Sequence, residues 1–314
     1  MSDISMTTTS QKSSIFGLGT IVVDHQVYLN QFPDADTKCE IIEDRLQVGG
    51  PVPTALALLS KWGHSTSFQG TWGQDAYGEM IEKDLQESRI HLAGSGAKAG
   101  RKSGFAHVWI ERTTGRRTIA CHRGDSVIDP EALHLESITK ADAIHLDGWS
   151  GSAAIKAAKQ AKLQNGKVFL DLGSPKPSWE DLVSEVDYLN LPEGLLNKLF
   201  PDQSLIACAE KLLLLGPLEV TITQGFRGAW HFCKEASLHQ PAFPVVATDT
   251  NGAGDVFNGA MIHGTLAGWA PRVKLRFATA VSALKCQKPG NRSALPELAA
   301  VEAFLDQAHG SSDQ

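Results

Sequence analysis

Residues 249–260 read Asp249-Thr250-Asn251-Gly252-Ala253-Gly254-Asp255-Val256-Phe257-Asn258-Gly259-Ala260, a glycine-rich turn running into a helix with a carboxylate in its first turn. Glycine lets backbone lie close to a ligand, and the free N–H groups of a helix start favour negative charge there. A phosphate suits such a place. The carboxylate of Asp255 would repel that anion unless a group intervenes, and a substrate hydroxyl is such a group. Asp255 then accepts the hydroxyl proton while its oxygen attacks phosphorus, and the N–H groups of Gly252, Ala253 and Gly254 take up the developing charge. The plain alternative is a helix cap, since Asp is favoured in a first turn on dipole grounds alone.

Outward from this stretch, strand-like runs alternate with amphipathic helical runs, the pattern of an α/β fold with a largely parallel sheet. The first strand is read as Ile15 to Val23, with Asp24 at its C-terminal end, where open α/β sheets place ligands. A helix follows Pro51-Val52-Pro53 and stops near Gly63, and the alternation is clearest from Ala141 onward. Helices are expected at about 254–267, 272–286 and 297–308. Two segments read as strands without crossover helices: Cys39 to Val48, and the pair 104–110 and 116–120 joined by Thr113-Thr114-Gly115. They are expected to form a small flap over the ligand edge.

The chain has 314 residues, 42% hydrophobic and 20% charged, which is globular composition with ample material for one large domain. Its formal net charge of -6 and scattered Lys and Arg give no field for a polyanion, so nucleic acid is not an expected partner. The five cysteines contain no C-x-x-C pair and are read as core thiols in a reducing cytoplasm. Residues 1–14 have no apolar h-region and are read as a disordered tail. The apolar run Leu212 to Leu215 is too short for a membrane span.

The string D-T-x-G-A-G-D followed by a small-residue helix resembles the C-terminal signature of PfkB-type carbohydrate kinases of the ribokinase-like superfamily. The resemblance runs from about Ile15 to Leu305. It implies a three-layer α/β/α fold with a mostly parallel central sheet, a kinase domain over 15–310, and lid strands inserted at about 25–48 and 102–122. It also implies ATP and Mg2+, a sugar substrate, and a homodimer formed through the lid strands. Asn190-Leu191-Pro192-Glu193 looks like the family's N-x-x-E element, with Glu193 reaching magnesium through water, although the same residues make an ordinary helix cap. Thr223, Gly225 and Gly228 resemble the turn where the nucleotide lies, against the alternative of a hairpin turn. Asn251 joins this ATP-binding set. The segment Leu284 to Ser293 is similar to the family's closing loop, which implies a monovalent cation, K+, at Asp249, Gly290 and Ser293.

On the sugar side, Asp24 matches the family's acidic residue, whose two oxygens accept bonds from adjacent hydroxyls. Gly49-Gly50 matches its di-glycine. Thr54 stands where ribokinases carry an amide, which turns the reading from ribose toward the ketohexose and sulfofructose kinase branch. Ala283-Leu284-Lys285-Cys286 looks like that branch too. Arg117 resembles an arginine projected from lid strands, and Lys38 and Asp147 are placed by the resemblance near the sugar; all three are equally well read as surface residues. A nucleoside kinase and a catalytically silent sugar- or nucleotide-binding regulator are the alternatives.

Other signals fail. Gly17-Leu18-Gly19 lacks the third glycine of a dinucleotide fingerprint, since position 22 is Val, and is read as close strand packing. No G-x-x-x-x-G-K-[ST] or H-E-x-x-H occurs. Trp149 and Trp179 are read as core.

Overall fold

The computed structural model describes residues 12–310; the expected tail lies outside the described residues up to position 11, and Ser14 already belongs to a strand. The strands are β1 (Ser14–Leu18), β2 (Val22–Leu29), β3 (Glu43–Gly49), β4 (Ser65–Gln69), β5 (Thr71–Gly73), β6 (His91–Leu92), β7 (Gly96–Lys98), β8 (Gly104–Glu111), β9 (Arg117–His122), β10 (Ala143–Leu146), β11 (Lys167–Asp171), β12 (Tyr188–Pro192), β13 (Glu219–Thr223), β14 (Ala229–Cys233) and β15 (Ala236–Gln240). The helices are α1 (Pro51–Lys61), α2 (Ala76–Glu87), α3 (Leu135–Thr139), α4 (Gly151–Lys162), α5 (Trp179–Val183), α6 (Glu193–Leu199), α7 (Leu205–Leu215), α8 (Ala253–Leu266), α9 (Pro271–Cys286) and α10 (Leu298–Gly310).

Nine strands form the central sheet in the order β15-β14-β13-β12-β11-β10-β1-β4-β6. All neighbours from β13 to β6 are parallel, and the hairpins to β14 and β15 are antiparallel. Buried strands in such a sheet send alternate residues to opposite faces, each covered by helices. Ile15, Ala143 and Phe169 join the cluster with α1, α2, α8, α9 and α10. Phe16, Ile144, Val168 and Leu170 join the cluster with α3 to α7. The three-layer α/β/α expectation agrees with this arrangement. Gly17 belongs to the packing: a Cβ there would stand 2.4 Å from Val52 Cγ1, so α1 rests directly on β1.

A second sheet, in the order β3-β2-β8-β9, stands apart from the first. The strand read as continuous from Ile15 to Val23 is in fact two strands in two sheets. β1 ends at Leu18, and the chain leaves the central sheet through Gly19-Thr20-Ile21 before β2 begins at Val22. Asp24 is therefore the third residue of β2, opposite Gln47 and Ala106. Strand β3 starts at Glu43, so Cys39 to Ile42 is irregular rather than extended. The core reading of the cysteines fails for Cys39 and Cys121, which are exposed; Cys208 is buried, and all five thiols are free. Among the described residues no helix is long and apolar enough to cross a membrane.

Candidate active site

The stretch from Asp249 folds as a tight turn feeding α8. Gly252 occupies the N-cap with φ 76°, a left-handed conformation that favours glycine. A Cβ there would also stand 2.6 Å from Asn291 Oδ1. Gly254 differs: a Cβ would meet nothing within 4 Å, so its surface is open to a ligand. Not every amide of the turn is free. Asn251 N donates to Asp249 Oδ1 (2.7 Å) and Ala253 N to the Thr250 carbonyl (3.3 Å), whereas no hydrogen bond engages the amides of Gly252 and Gly254 among the described residues. The expected cradle thus keeps two open donors, and Ala253 is partly committed to the turn.

Asp255 lies in the first turn of α8, half-buried. Burial raises its pKa, while Arg117, Arg292, Lys285 and a hydrogen bond from Thr54 draw it back. Arg117 projects from β9 and donates to Thr250 Oγ1 (3.0 Å), which places its guanidinium over the turn. This is a carboxylate held among cations beside open amides, not a cap bonded to its own helix.

Asp24 faces the same space from β2. Its Oδ2 accepts from Asn251 Nδ2 (3.2 Å), and a Cβ on Gly49 would stand 2.4 Å from that oxygen, so the carboxylate lies flat on Gly49. Burial, then the charges of Asp255 and Asp249, push its pKa up to about 7 against the pull of Asn251 and Arg292. Gly50, with φ 106°, caps α1. Thr54, fully buried in α1, accepts from Arg292 Nη1 (2.7 Å) and Asn291 Nδ2 (3.2 Å), so it ties the closing loop to the site. Asp147 departs from expectation. Its oxygens accept from Thr20 N (2.7 Å), Thr20 Oγ1 (2.8 Å) and Trp149 N (2.9 Å), which makes it a brace between the ends of β1 and β10. Lys38 is exposed between β2 and β3, and among the described residues no hydrogen bond or ion pair joins it to the site.

On the other side of the turn, Asn190 at β12 donates to Asn258 Oδ1 (2.8 Å), and Asn258 Nδ2 donates to the Gly254 carbonyl (3.1 Å). This relay ties β12 to the start of α8. Glu193, first residue of α6, accepts from Gln224 Nε2 (2.6 Å) and from Arg227. Thr223 ends β13, and Gly225 and Gly228, with φ 59° and 94°, shape the hairpin into β14. The hairpin alternative is correct as geometry, and Glu193 braces that hairpin.

A pfkB family carbohydrate kinase profile matches residues 12–298. The chain belongs to that family. It is 24% identical over 259 residues to the ribokinase of Bacillus subtilis (strain 168), covering 82% of this chain and 87% of that one. It is 26% identical over 269 residues to the fructokinase of Solanum tuberosum, covering 79% and 82%. The crystal structure of ribokinase from Thermotoga maritima superposes with a TM-score of 0.80 at 25% identity, over 94% of this chain and 99% of that one.

This pfkB-family kinase is a sugar phosphotransferase, and parts of its site escaped sequence reading. Arg292 donates to Asp84 Oδ2 (3.1 Å) as well as Thr54, and Asn291 N to Gln47 Oε1 (2.5 Å). The most consequential is Lys285, fully buried in the last turn of α9. Its Nζ donates to the Asp249 carbonyl (3.0 Å) and lies 3.8 Å from Asp249 Oδ1. The remaining Asp249 oxygen accepts from Tyr28 OH (3.0 Å) and Gly290 N (2.9 Å). Ser293 Oγ instead takes Gln47 Nε2 (3.2 Å) and donates to the Pro289 carbonyl (3.4 Å). Every oxygen of Asp249 thus already meets a donor or an ammonium. These residues do not fit K+.

Proposed function

We propose that this pfkB-family chain transfers the γ-phosphoryl group of ATP to a hydroxyl of a small sugar, a ketohexose or a related sugar. Asp255 is the general base. The sugar oxygen bonds to phosphorus as the bond to the departing ADP oxygen breaks, and the hydroxyl proton passes to Asp255. The open amides of Gly252 and Gly254, with Arg117 above them, face the charge that develops on the transferred group. Asp24 accepts the sugar's other hydroxyls, against Gly49 and Gly50. Asn190, Asn251, Thr223, Gly225 and Gly228 line the nucleotide side. Mg2+ supplies charge neutralisation at the phosphates when bound, and Glu193, with lone pairs to spare on both oxygens, would reach it through water.

The observation that carries this reading is Asp255 standing among Arg117, Arg292 and Lys285 at the open start of α8. Replacing Asp255 by Asn is expected to lower turnover about 10³-fold or more while leaving ATP affinity nearly unchanged. Coupled ADP release and ATP titration measure the two quantities. An equal loss of ATP binding would point to a cap. Thr54 in place of an amide favours a ketohexose over ribose. A panel of fructose, tagatose, ribose, sulfofructose and adenosine separates the sugar reading from ribokinase and nucleoside kinase activity. A silent regulator would turn over none of them.

The four-stranded sheet serves as the lid, closing over the sugar to keep water from the phosphoryl group. Its outer face receives a second copy of the chain. Five free thiols support work in a reducing compartment, the cytoplasm.

A further inference from the structure

Thr54 is a helical threonine whose hydroxyl does not turn back on its own helix. Thr139 in α3 and Thr279 in α9 donate to the carbonyl four residues earlier, Leu135 O (2.7 Å) and Leu275 O (2.8 Å). In α1 the Gly50 carbonyl stands in the same place and takes the Thr54 amide (3.1 Å), yet among the described residues the Thr54 hydroxyl makes no such bond. Its oxygen is engaged instead by two donors from the loop after α9: Arg292 Nη1 (2.7 Å) and Asn291 Nδ2 (3.2 Å). A hydroxyl has two lone pairs and one proton. With both lone pairs filled, only the proton is left to give.

The Asp255 carboxyl takes the hydrogen bond that this proton makes. That carboxyl borders the open turn, since a Cβ on Gly252 would stand 3.8 Å from Asp255 Oδ2. Arg292 is itself anchored: its Nε donates to Asp84 Oδ2 of α2 (3.1 Å), an ion pair with 12% and 17% of the two side chains exposed. The backbone amides of Asn291 and Arg292 both donate to Gln47 Oε1 of β3 (2.5 and 3.1 Å), which fixes the loop that carries the two donors. A guanidinium bonded to a hydroxyl oxygen polarises the O–H and makes it a better donor. One chain of hydrogen bonds thus runs from Asp84 through Arg292 and Thr54 to Asp255.

Thr54 is fully buried and has no lone pair free for a sugar. We infer that Thr54 is a positioning residue for the base: its hydroxyl, aligned by Asn291 and by Arg292 anchored on Asp84, holds one oxygen of the Asp255 carboxylate and leaves the other for the sugar hydroxyl. The inference rests on the kinase reading, in which Asp255 is the base. An ionised carboxylate accepts the bond more strongly than a protonated one, so the bond favours the charged form. Burial raises the pKa of Asp255, and Asp24 of β2 and Asp171 of β11 bring like charge; Arg117 of β9, Arg292, Lys285 of α9 and the Thr54 bond draw it down. Only the last is removed by Thr54→Val, which keeps the shape of the side chain.

The test follows kcat and KM against pH for whichever of fructose, tagatose, ribose, sulfofructose and adenosine is turned over fastest. Thr54→Val is expected to lower kcat at pH 7 about tenfold with little change in KM. The acid limb of its kcat profile should move to higher pH, because Asp255 ionises less readily. Thr54→Ser, which keeps the hydroxyl, should restore most of kcat and the parental limb, and Thr54→Ala repeats the loss should Thr54→Val not fold. Arg292→Lys keeps the charge but cannot join Thr54 and Asp84 in one fork, and should show part of the same loss. Carbon NMR titration of the carboxyl groups, with Asp255→Asn to assign the signal, should show the Asp255 pKa moving up in Thr54→Val. A KM that rises while the limb stays in place makes Thr54 a sugar contact and overturns the inference, as do parental kinetics in folded Thr54→Val. If the parent chain turns over none of the five compounds, the kinase reading fails, and the NMR titration still decides the contact: an Asp255 pKa that rises on Thr54→Val supports it, and an unmoved one refutes it.

Discussion

Asp24 is an acid whose burial sets when it can work. Its pKa of about 7, against an ordinary value of 3.8, means the folded chain holds this proton more tightly than the unfolded chain does. Unfolding free energy therefore falls as pH rises from about 4 toward 7, because charging Asp24 costs the folded state. Only the ionised group offers both oxygens as pure acceptors to sugar hydroxyls. Sugar affinity is accordingly expected to improve as pH rises through 7, and Asp24→Asn should flatten that limb while weakening binding at pH 8. The same substitution should raise the melting temperature most at pH 8, less at pH 5, and leave it little changed below pH 4. A pH-independent sugar affinity in the parent chain would remove Asp24 from the role. Sequence made Asp255 legible because the turn, the helix start and the carboxylate are contiguous. Arg292 and Lys285 were silent as site residues because only packing of α9 and the loop after it against α1 and the turn brings them in. Lys38 and Asp147 show the converse: a position inherited from a resemblance does not say where a side chain spends its hydrogen bonds.

Helices α8 and α9 form one device at the element scale. α8 is buried along Val256 to Gly264 and starts with its dipole toward the cleft; α9 ends by pushing Lys285 under the backbone of Asp249. A tethered ammonium is thereby fixed behind the turn, where a monovalent cation was expected. Kinase activity of the parent chain should then be the same in K+ as in choline at equal ionic strength. Lys285→Met leaves Asp249 buried without its cation, a change expected to cost on the order of 3 kcal/mol, and should lower kcat about tenfold or more. Lys285→Ala should regain part of its rate with K+ or ammonium, and its melting temperature should rise with the same ions. Activation of the parent chain several-fold by K+ would refute the argument. Helix positions were readable from apolar spacing and stop residues, to within a residue or two at α1, α2 and α9. The break between β1 and β2 was not, because Gly19-Thr20-Ile21 continues an apolar run, and only the change of partners, β1 with β4 and β10 but β2 with β3 and β8, shows the chain leaving the sheet.

For the whole molecule, the parallel sheet follows from alternation, but the second sheet's orientation needed its register. Asp24, Gln26 and Tyr28 share a face with Ala106, Val108 and Ile110, and with Arg117 and Ile119 of β9. That face meets the turn through Asn251, Asp249 and Thr250. The opposite face presents Leu46, 48% exposed, and Trp109, 41% exposed, with His25 and His107 between them at 5.5 Å. Its outer strands β3 and β9 each leave one edge unpaired within this sheet. Large apolar side chains beside open strand edges invite another sheet, and a second copy offers the same surface through a twofold axis. The chain is therefore expected to run at twice its own mass in light scattering at tens of micromolar. Leu46→Glu with Trp109→Glu, both pointing away from the site, should yield a monomer. Because the lid would then close without a neighbour bracing its back, sugar KM should rise more than ATP KM. A parent chain that stays monomeric across that concentration range, or a double variant that stays dimeric, would place any association elsewhere on the molecule.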